Sequence, residues 1–560
     1  MISTKKNAQC LAAILLERGI HDIIFSPGSR NAPLIQTFSA IKDFRCLNIV
    51  DERCAAFFAL GMALHRQKPV AIACTSGSAA LNYAPAISEA YYQKVPLLIL
   101  TADRPEEWVD QGDGQTIRQQ NIYGNYTKRS YHLTEHMETD DDAWVIGRII
   151  NEALNDLMYP EMGPVHINIP FKEPLYEATE EILPNPKIMV IHHGDVSFCA
   201  ETMKTFSDVW HCHPRRMILV GQMPREPELN TLLADISTDS SIIILAENIA
   251  NLQGEEFHLS IEHILTLLPD DPHTYRPDLL ITCGGAVISK RLKTFLPQHK
   301  PSCHWHISPM AEPMDTFMAL TDIIPARPSH FLREFKKYIT PSTSSYREDW
   351  RKLDVIAREK HSIYLCNCDF SDLKAFDLIF AHLPDHSILH LSNSSPVRYA
   401  QFFKNKSSLL YMSNRGTSGI DGVLSSAAGY AFLSHRINTV IVGDLAFFYD
   451  SNALWIRYLP PNLRIILINN GGGGIFRLID GPAATDVLEE HFEARHDMQG
   501  ASLAQAHGLD CFVAENEEEL ATGLQELYKE GRNKTAVLEI RTSGLQNAKI
   551  FQQYFHYIKG

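Results

Sequence analysis

TVIVGDLAFF (439–448) and RIILINNGGGGIF (464–476) are the two stretches from which the fold of this chain can be read. Each opens on a β-branched, apolar run and ends in residues that carry oxygen or no side chain, so each predicts a buried strand that stops at a polar turn. Asp444 and Asn470 stand 26 positions apart (470 − 444), room for one helix and a return strand, which brings both side chains to the carboxyl edge of a parallel sheet. Ligands of open α/β sheets bind at that edge. Asp444, the side-chain oxygen of Asn470 and a main-chain carbonyl at Gly472 offer a hard cation three oxygens, leaving octahedral positions for phosphate and water; Mg2+ is the expected ion and Mn2+ the alternative. The glycines at 471–474 let backbone N–H groups come close to a phosphate. For either half alone, a plain strand-turn-helix unit with a capping Asp is the simpler reading. Both halves at this spacing favour a metal-diphosphate site.

The same rhythm runs outward from these strands. Between Asp22 and Pro170, DIIFSPGSR, CLNIVDERCAAFFALGMAL, PVAIACTSGSAALNYA, VPLLILTADRP and GPVHINIP alternate strand and helix patterns. A second block carries RMILVGQMP, SIIILAENIANL and PDLLITCGGAVISKRLKTFL, and a third carries SILHLSNSSPVRY, LLYMSNRGTSGIDG, the two opening strands and TAVLEIRTS. EATEEILPNPK (177–187) reads as a linker and TPSTSSYRED (340–349) as a second boundary. The expected architecture is α/β, three doubly wound parallel-sheet domains at 1–184, 185–345 and 346–560.

Composition narrows the function. A net charge of −15 with no basic tract argues against a nucleic-acid surface. No span of about 18 apolar residues occurs, so no membrane partner is expected. MISTKKNAQCLAAILLERGI (1–20) reads as an amphipathic helix, because Glu17 and Arg18 end its apolar stretch. The 11 cysteines are scattered, which fits reduced thiols and a cytoplasmic location. HCH (211–213) and HWH (304–306) lack a second ligand pair at finger-like spacing, so zinc is not expected there.

Strand-end loops are cationic for so acidic a chain: Arg30 in SPGSR, Arg104 in ADRP, Lys290 and Arg291 in SKRL, Arg398 in NSSPVR and Arg415 in NRG. Singly, each reads as a solvated loop residue. Together they predict a substrate with several carboxylates, since guanidinium groups bind carboxylates bidentately.

SPGSR, DER, TSGSA, ADRP, GPVHINIPFKEPLY, NS before VR, SNRGTSGIDG, GDL followed by YDSNAL, and NNGGGGIF occur in one order along nearly the whole chain. In this the sequence resembles the 2-succinyl-5-enolpyruvyl-6-hydroxy-3-cyclohexene-1-carboxylate synthase family of thiamine-diphosphate enzymes. Leu445 after GD is shared with that branch; Ser78 stands where Thr is common, and Gly114 where Asn is often found. The resemblance implies thiamine diphosphate with Mg2+, and a synthesis in menaquinone biosynthesis: 2-oxoglutarate loses carbon dioxide and its four-carbon remainder adds in a conjugate (1,4) sense to isochorismate. It makes Glu52 the catalytic carboxylate that acts on the cofactor's pyrimidine ring, where the bland reading is a helix-starting acid. Asp444, Asn470 and Gly472 hold the metal. Ile420 is either an apolar wedge that bends the cofactor or plain core, and Ile475 and Phe476 line the reacting pocket. Arg398, Arg415 and Ser394 suit 2-oxoglutarate; Arg30, Arg104, Gln115, Lys290 and Arg291 suit isochorismate. In the enzymes it resembles, one cofactor bridges two subunits, so the resemblance implies a homodimer or homotetramer with active sites at the subunit interface, Glu52 and Asp444 addressing one cofactor.

Three rivals stand beside this reading. Another thiamine-dependent decarboxylase or carboligase, acetolactate-synthase-like, needs fewer arginines. A nucleotide oxidoreductase would need G-x-G-x-x-G opening a βαβ unit. A silent binding homologue would not need Glu52 and Asp444.

Overall fold

In this computed structural model, which describes residues 1–560 except 181, 182, 193, 479, 480, 482 and 483, the two opening strands are Asn438–Gly443 and Leu463–Asn469. They are neighbours in a six-stranded sheet ordered Leu410–Met412, Ile388–Leu391, Asn438–Gly443, Leu463–Asn469, Ala536–Arg541, Asp510–Ala514. From Ile388–Leu391 the chain steps outward to Leu410–Met412, then crosses to Asn438–Gly443 on the other side, pairing in parallel with both. The strand order therefore reverses between Ile388–Leu391 and Asn438–Gly443, and Asp444 is the first residue beyond the second of these strands. That reversal is where an open sheet leaves a crevice for ligands.

A second six-stranded sheet has the same design: Arg45–Asn48, Asp22–Phe25, Val70–Cys74, Leu97–Asp103, Val165–Pro170, Arg129–His132, parallel throughout. Its reversal lies between Asp22–Phe25 and Val70–Cys74. The loops that follow these strands touch: Arg30 N–H donates to Thr75 Oγ1 at 3.1 Å, and a Cβ on Gly28 would stand 2.3 Å from Thr75 Cβ. The third sheet is five-stranded and parallel, ordered Ile242–Ala246, Arg216–Val220, Leu279–Cys283, Cys303–Ile307, Asp322–Ile324. Successive residues of Arg216–Val220 enter different cores, Ile218 and Val220 on one face and Met217 and Leu219 on the other. Burial on both faces is why these strands read as unbroken apolar runs.

The fold is thus α/β with parallel sheets, as expected. The chain divides into two compact units: Met1–His193 with Asn414–His435 and Tyr449–Leu463, and Gly194–Ser413 with Arg436–Phe448 and Arg464–Gly560. In the first unit, helix Val423–Leu433 lies on helix Glu52–Arg66. A Cβ on Gly61 would come 1.9 Å from Ser426 O, and one on Gly429 1.9 Å from Phe58 O, so two glycines let the backbones meet. The stretch read as a linker contains strand Ala178–Thr179, which pairs antiparallel with Ile2–Ser3; residues 181 and 182 of it lie outside the described residues. The N-terminal helix spans Lys6–Glu17 and is mostly buried. Among the described residues no helix is long and apolar enough to cross a membrane.

Burial lowers the pKa of several histidines among the described residues: His166 is pushed down to about 3, and His304, His361 and His390 to about 4. His304 and His306, in the HWH stretch, both meet the Thr282 hydroxyl at 2.9 Å. In the unfolded chain histidine titrates near 6.5, so between that pH and about 4 the unfolded state binds more protons and stability falls on acidification. Each histidine contributes roughly 2 kcal/mol of loss from pH 7 to pH 5. Asp450, which burial raises to about 6, opposes this, since it takes up its proton first in the folded state. A denaturation midpoint markedly lower at pH 5 than at pH 7 is expected; equal midpoints would contradict it.

Candidate active site

Asp444 is 3 % exposed, and burial raises its pKa. Its Oδ1 accepts the Leu445 N–H at 2.7 Å; its Oδ2 accepts the N–H groups of Asn470 at 3.2 Å and Gly472 at 2.9 Å. His496 Nε2 stands 3.5 Å from the same Oδ2. Asn470 Nδ2 donates to Asp372 Oδ2 at 2.9 Å, which assigns the amide nitrogen and presents the carbonyl oxygen as the ligand end. Asp372 is itself fixed: its Oδ1 accepts from Thr542 Oγ1 at 2.6 Å, and its N–H donates to Asn547 Oδ1 at 2.9 Å.

The glycine turn is possible only without side chains. Gly471 and Gly472 have φ of 80° and 145°, and a Cβ on Gly472 would stand 2.6 Å from Glu493 O. Its N–H groups are bonded within the chain rather than presented outward: Gly472 to Asp444, Gly473 to Glu493 O at 2.6 Å, and Gly474 to Gly472 O at 2.9 Å. Buried backbone donors must be paired, and segment 493–496 supplies part of that pairing. The Gly472 carbonyl keeps a second lone pair for a cation. Beside the turn lies a cavity of ≈ 410 Å³, lined among others by Asn470, Gly472, Arg477, Arg495, His496 and Ser543. A buried carboxylate, an amide oxygen with its nitrogen tied back and a turn carbonyl make a donor set that fits a hard divalent cation. Ile475 and Phe476 lie in the turn Gly474–Arg477, both half-buried, with the Phe476 ring 5.7 Å from Phe492.

Glu52 is the first residue of helix Glu52–Arg66. Capping falls to Asp51, whose carboxylate accepts the Cys54 N–H at 2.9 Å, and Glu52 is the acid of the helix's first turn. Its Oε2 accepts from Asn82 Nδ2 at 3.2 Å. Ile420, in the same compact unit, is 39 % exposed.

The arginines fall into groups. Arg30, 4 % exposed, donates from Nη1 to Phe171 O at 2.7 Å and lies 3.2 Å from Glu173. Its pKa is lowered by burial and then by the nearby Arg104. Arg104 donates to Gly114 O at 3.1 Å and lies 3.3 Å from Asp113; the next residue, Gln115, is exposed. Each guanidinium is thus faced by a carboxylate of the chain. Arg398 donates from Nη1 to Ser394 O at 2.7 Å. Ser394 and Gln115 hold left-handed φ of 72° and 55°, strain of the kind that collects at functional loops. Lys290 and Arg291 open helix Lys290–Gln298 behind the cap Ser289. Cations there oppose the helix dipole. Arg291 is held 3.3 Å from Glu262 and 4.6 Å over the Phe555 ring, and Lys290 is exposed.

Sequence reading missed the supports: Asp372 behind Asn470, Asn82 beside Glu52, and Glu247, which accepts the N–H groups of Ile288 and Ser289 at 2.6 Å each ahead of Lys290. The available signal was a single acid inside an apolar run, SIIILAENIANL, since a buried charge must be bonded.

Residues 5–124 match the family model described as "Thiamine pyrophosphate enzyme, N-terminal TPP binding domain". The chain is 41 % identical over 549 residues, 98 % of each chain, to the 2-succinyl-5-enolpyruvyl-6-hydroxy-3-cyclohexene-1-carboxylate synthase of Flavobacterium psychrophilum. It is 38 % identical over 577 residues to that of Porphyromonas gingivalis, covering 100 % of this chain and 98 % of the relative. To that of Bacteroides thetaiotaomicron it is 37 % identical over 565 residues, 100 % of both.

Proposed function

The chain belongs to the 2-succinyl-5-enolpyruvyl-6-hydroxy-3-cyclohexene-1-carboxylate synthase family, and on that premise we propose how its residues share the work. It is a thiamine-diphosphate-dependent enzyme of menaquinone biosynthesis that decarboxylates 2-oxoglutarate and joins the four-carbon remainder to isochorismate by conjugate addition. The observation that carries the assignment of residues is the pair at the carboxyl edge of the third-block sheet: a buried Asp444 and a half-buried Asn470 whose nitrogen is tied to Asp372.

Asp444, Asn470 and the Gly472 carbonyl would hold Mg2+ against the cofactor's diphosphate. Bound thiamine diphosphate supplies the electron sink that lets carbon dioxide leave. Glu52, which accepts a hydrogen bond from Asn82, would hold and move a proton at the pyrimidine ring. Ile420 would pack against the bound cofactor, and Ile475 and Phe476 would keep water from the reacting pocket. Arg398 and Arg415, with Ser394, bind the distal carboxylate of 2-oxoglutarate; Arg30, Arg104, Gln115, Lys290 and Arg291 bind isochorismate. The working enzyme is a homodimer or a pair of dimers, with Glu52 of one protomer and Asp444 of its partner on one cofactor. Domains at 1–184, 185–345 and 346–560 and a cytoplasmic location complete the proposal.

Incubation with thiamine diphosphate, Mg2+ and 2-oxoglutarate, with and without isochorismate, tests the reaction: both substrates should disappear together and the product form. Preference for pyruvate would favour an acetolactate-synthase-like enzyme instead. The arginine assignment has its own test. An unpaired carboxylate in a desolvated pocket costs about 1–3 kcal/mol, so losing one arginine should raise the KM of its own substrate about tenfold or more. Arg398→Ala and Arg415→Ala should impair 2-oxoglutarate use, including slow decarboxylation without acceptor. Arg30→Ala and Arg104→Ala should impair isochorismate use and spare that partial reaction. The opposite pattern in carbon dioxide release would reverse the assignment.

A further inference from the structure

We propose that Glu89 is a positioning residue: it fixes the loop that carries Arg415 and thereby sets the affinity for the dicarboxylate donor. This rests on the reading of Arg415 given above. Glu89 lies in helix Ala84–Gln93 and is 1 % exposed. Its Oε1 accepts the Gly416 N–H at 2.7 Å, and its Oε2 accepts both the Thr417 N–H and the Thr417 hydroxyl at 2.7 Å. Gln93 Nε2 donates to Oε1 as well. A carboxylate buried in an apolar helix is costly unless its oxygens are bonded, and three of these bonds come from one loop over 300 residues away in sequence.

The geometry of that loop leaves Arg415 little freedom. On one side Asn414 exchanges hydrogen bonds with the Ser426 hydroxyl, Nδ2 donating at 3.1 Å and Oδ1 accepting at 3.3 Å. On the other, Gly416 lies so close to the helix that a Cβ would stand 2.6 Å from Glu89 O. Two adjacent N–H groups bound to one carboxylate fix the backbone between residues 416 and 417. Arg415 is therefore held between two pinned neighbours, with its side chain half-buried. Loss of the clamp should let the guanidinium wander from its carboxylate without touching Glu52, Asp444 or the metal.

Steady-state kinetics of the full-length enzyme bearing Glu89→Gln, Arg415→Ala or both decide the matter. Gln keeps the volume but sets an NH2 against a backbone N–H. The expected result is a KM for 2-oxoglutarate raised about tenfold, with kcat and the KM for isochorismate little changed. The double variant should be no worse than Arg415→Ala, because residues acting as one unit are not additive. A normal 2-oxoglutarate KM in Glu89→Gln, when Arg415→Ala raises it, overturns the positioning role. So does an equal loss in kcat and both KM values, which would mark a merely structural residue. Should Arg415→Ala itself leave the KM unchanged, the reading of Arg415 fails first. Thr417→Val, which removes only the hydroxyl, gives a second readout if Glu89→Gln does not fold: a rise of about threefold supports the clamp, and no change overturns it.

Discussion

Glu52→Gln should abolish nearly all turnover while leaving Mg2+ and thiamine diphosphate binding close to normal. The amide keeps the size of the side chain and its bond with Asn82, but it cannot take up and return a proton. Loss of a positioned proton-transfer group costs on the order of a hundredfold to ten-thousandfold in rate. Helix capping should survive, since Asp51 performs it, and the thermal midpoint should move little. Cofactor affinity by calorimetry, measured beside kcat, separates the two effects. A folded Glu52→Gln enzyme that turns over normally would remove Glu52 from the mechanism.

Asp444→Asn is expected to act in the opposite way, weakening metal and cofactor together. The substitution replaces an anionic oxygen by a neutral one on a hard cation. It also puts an NH2 where the N–H groups of Asn470 and Gly472 now find an acceptor. Even a group that only orients a ligand typically contributes ten- to a hundredfold in metal affinity, so the loss at Asp444 should be at least of that order. Asp372→Ala should show the milder version, because it frees the Asn470 amide without removing a ligand. Raising Mg2+ and cofactor should restore part of the activity in both. Wild-type cofactor affinity in Asp444→Asn would place the metal elsewhere.

Most of the fold, and the outline of the site, are legible in the amino-acid sequence because they rest on local rules. A strand buried on both faces must be apolar throughout, so RMILV and TVIVG announce themselves. A turn with φ of 145° at its second glycine admits no side chain, so GGGG after a strand marks the bend beside Asp444. Motif order proposed the rest, from Arg30 and Glu52 to Phe476. The supports were not legible. Asp372 reaches Asn470 across 98 positions, and Glu89 reaches Thr417 across 328; nothing in a local pattern says which distant donors a buried carboxylate will find. The same holds for the close approach of Gly61 to Ser426 and of Gly429 to Phe58, which places Asn414–His435 in one compact unit with Met1–His193 although the chain order sets it in the third block. Sequence by itself determined which residues can do the chemistry, because charge, size and backbone freedom belong to each residue. Only the tertiary structure decided how they are aimed, because a hydrogen bond needs both partners within about 3 Å, and that depends on how the whole chain packs.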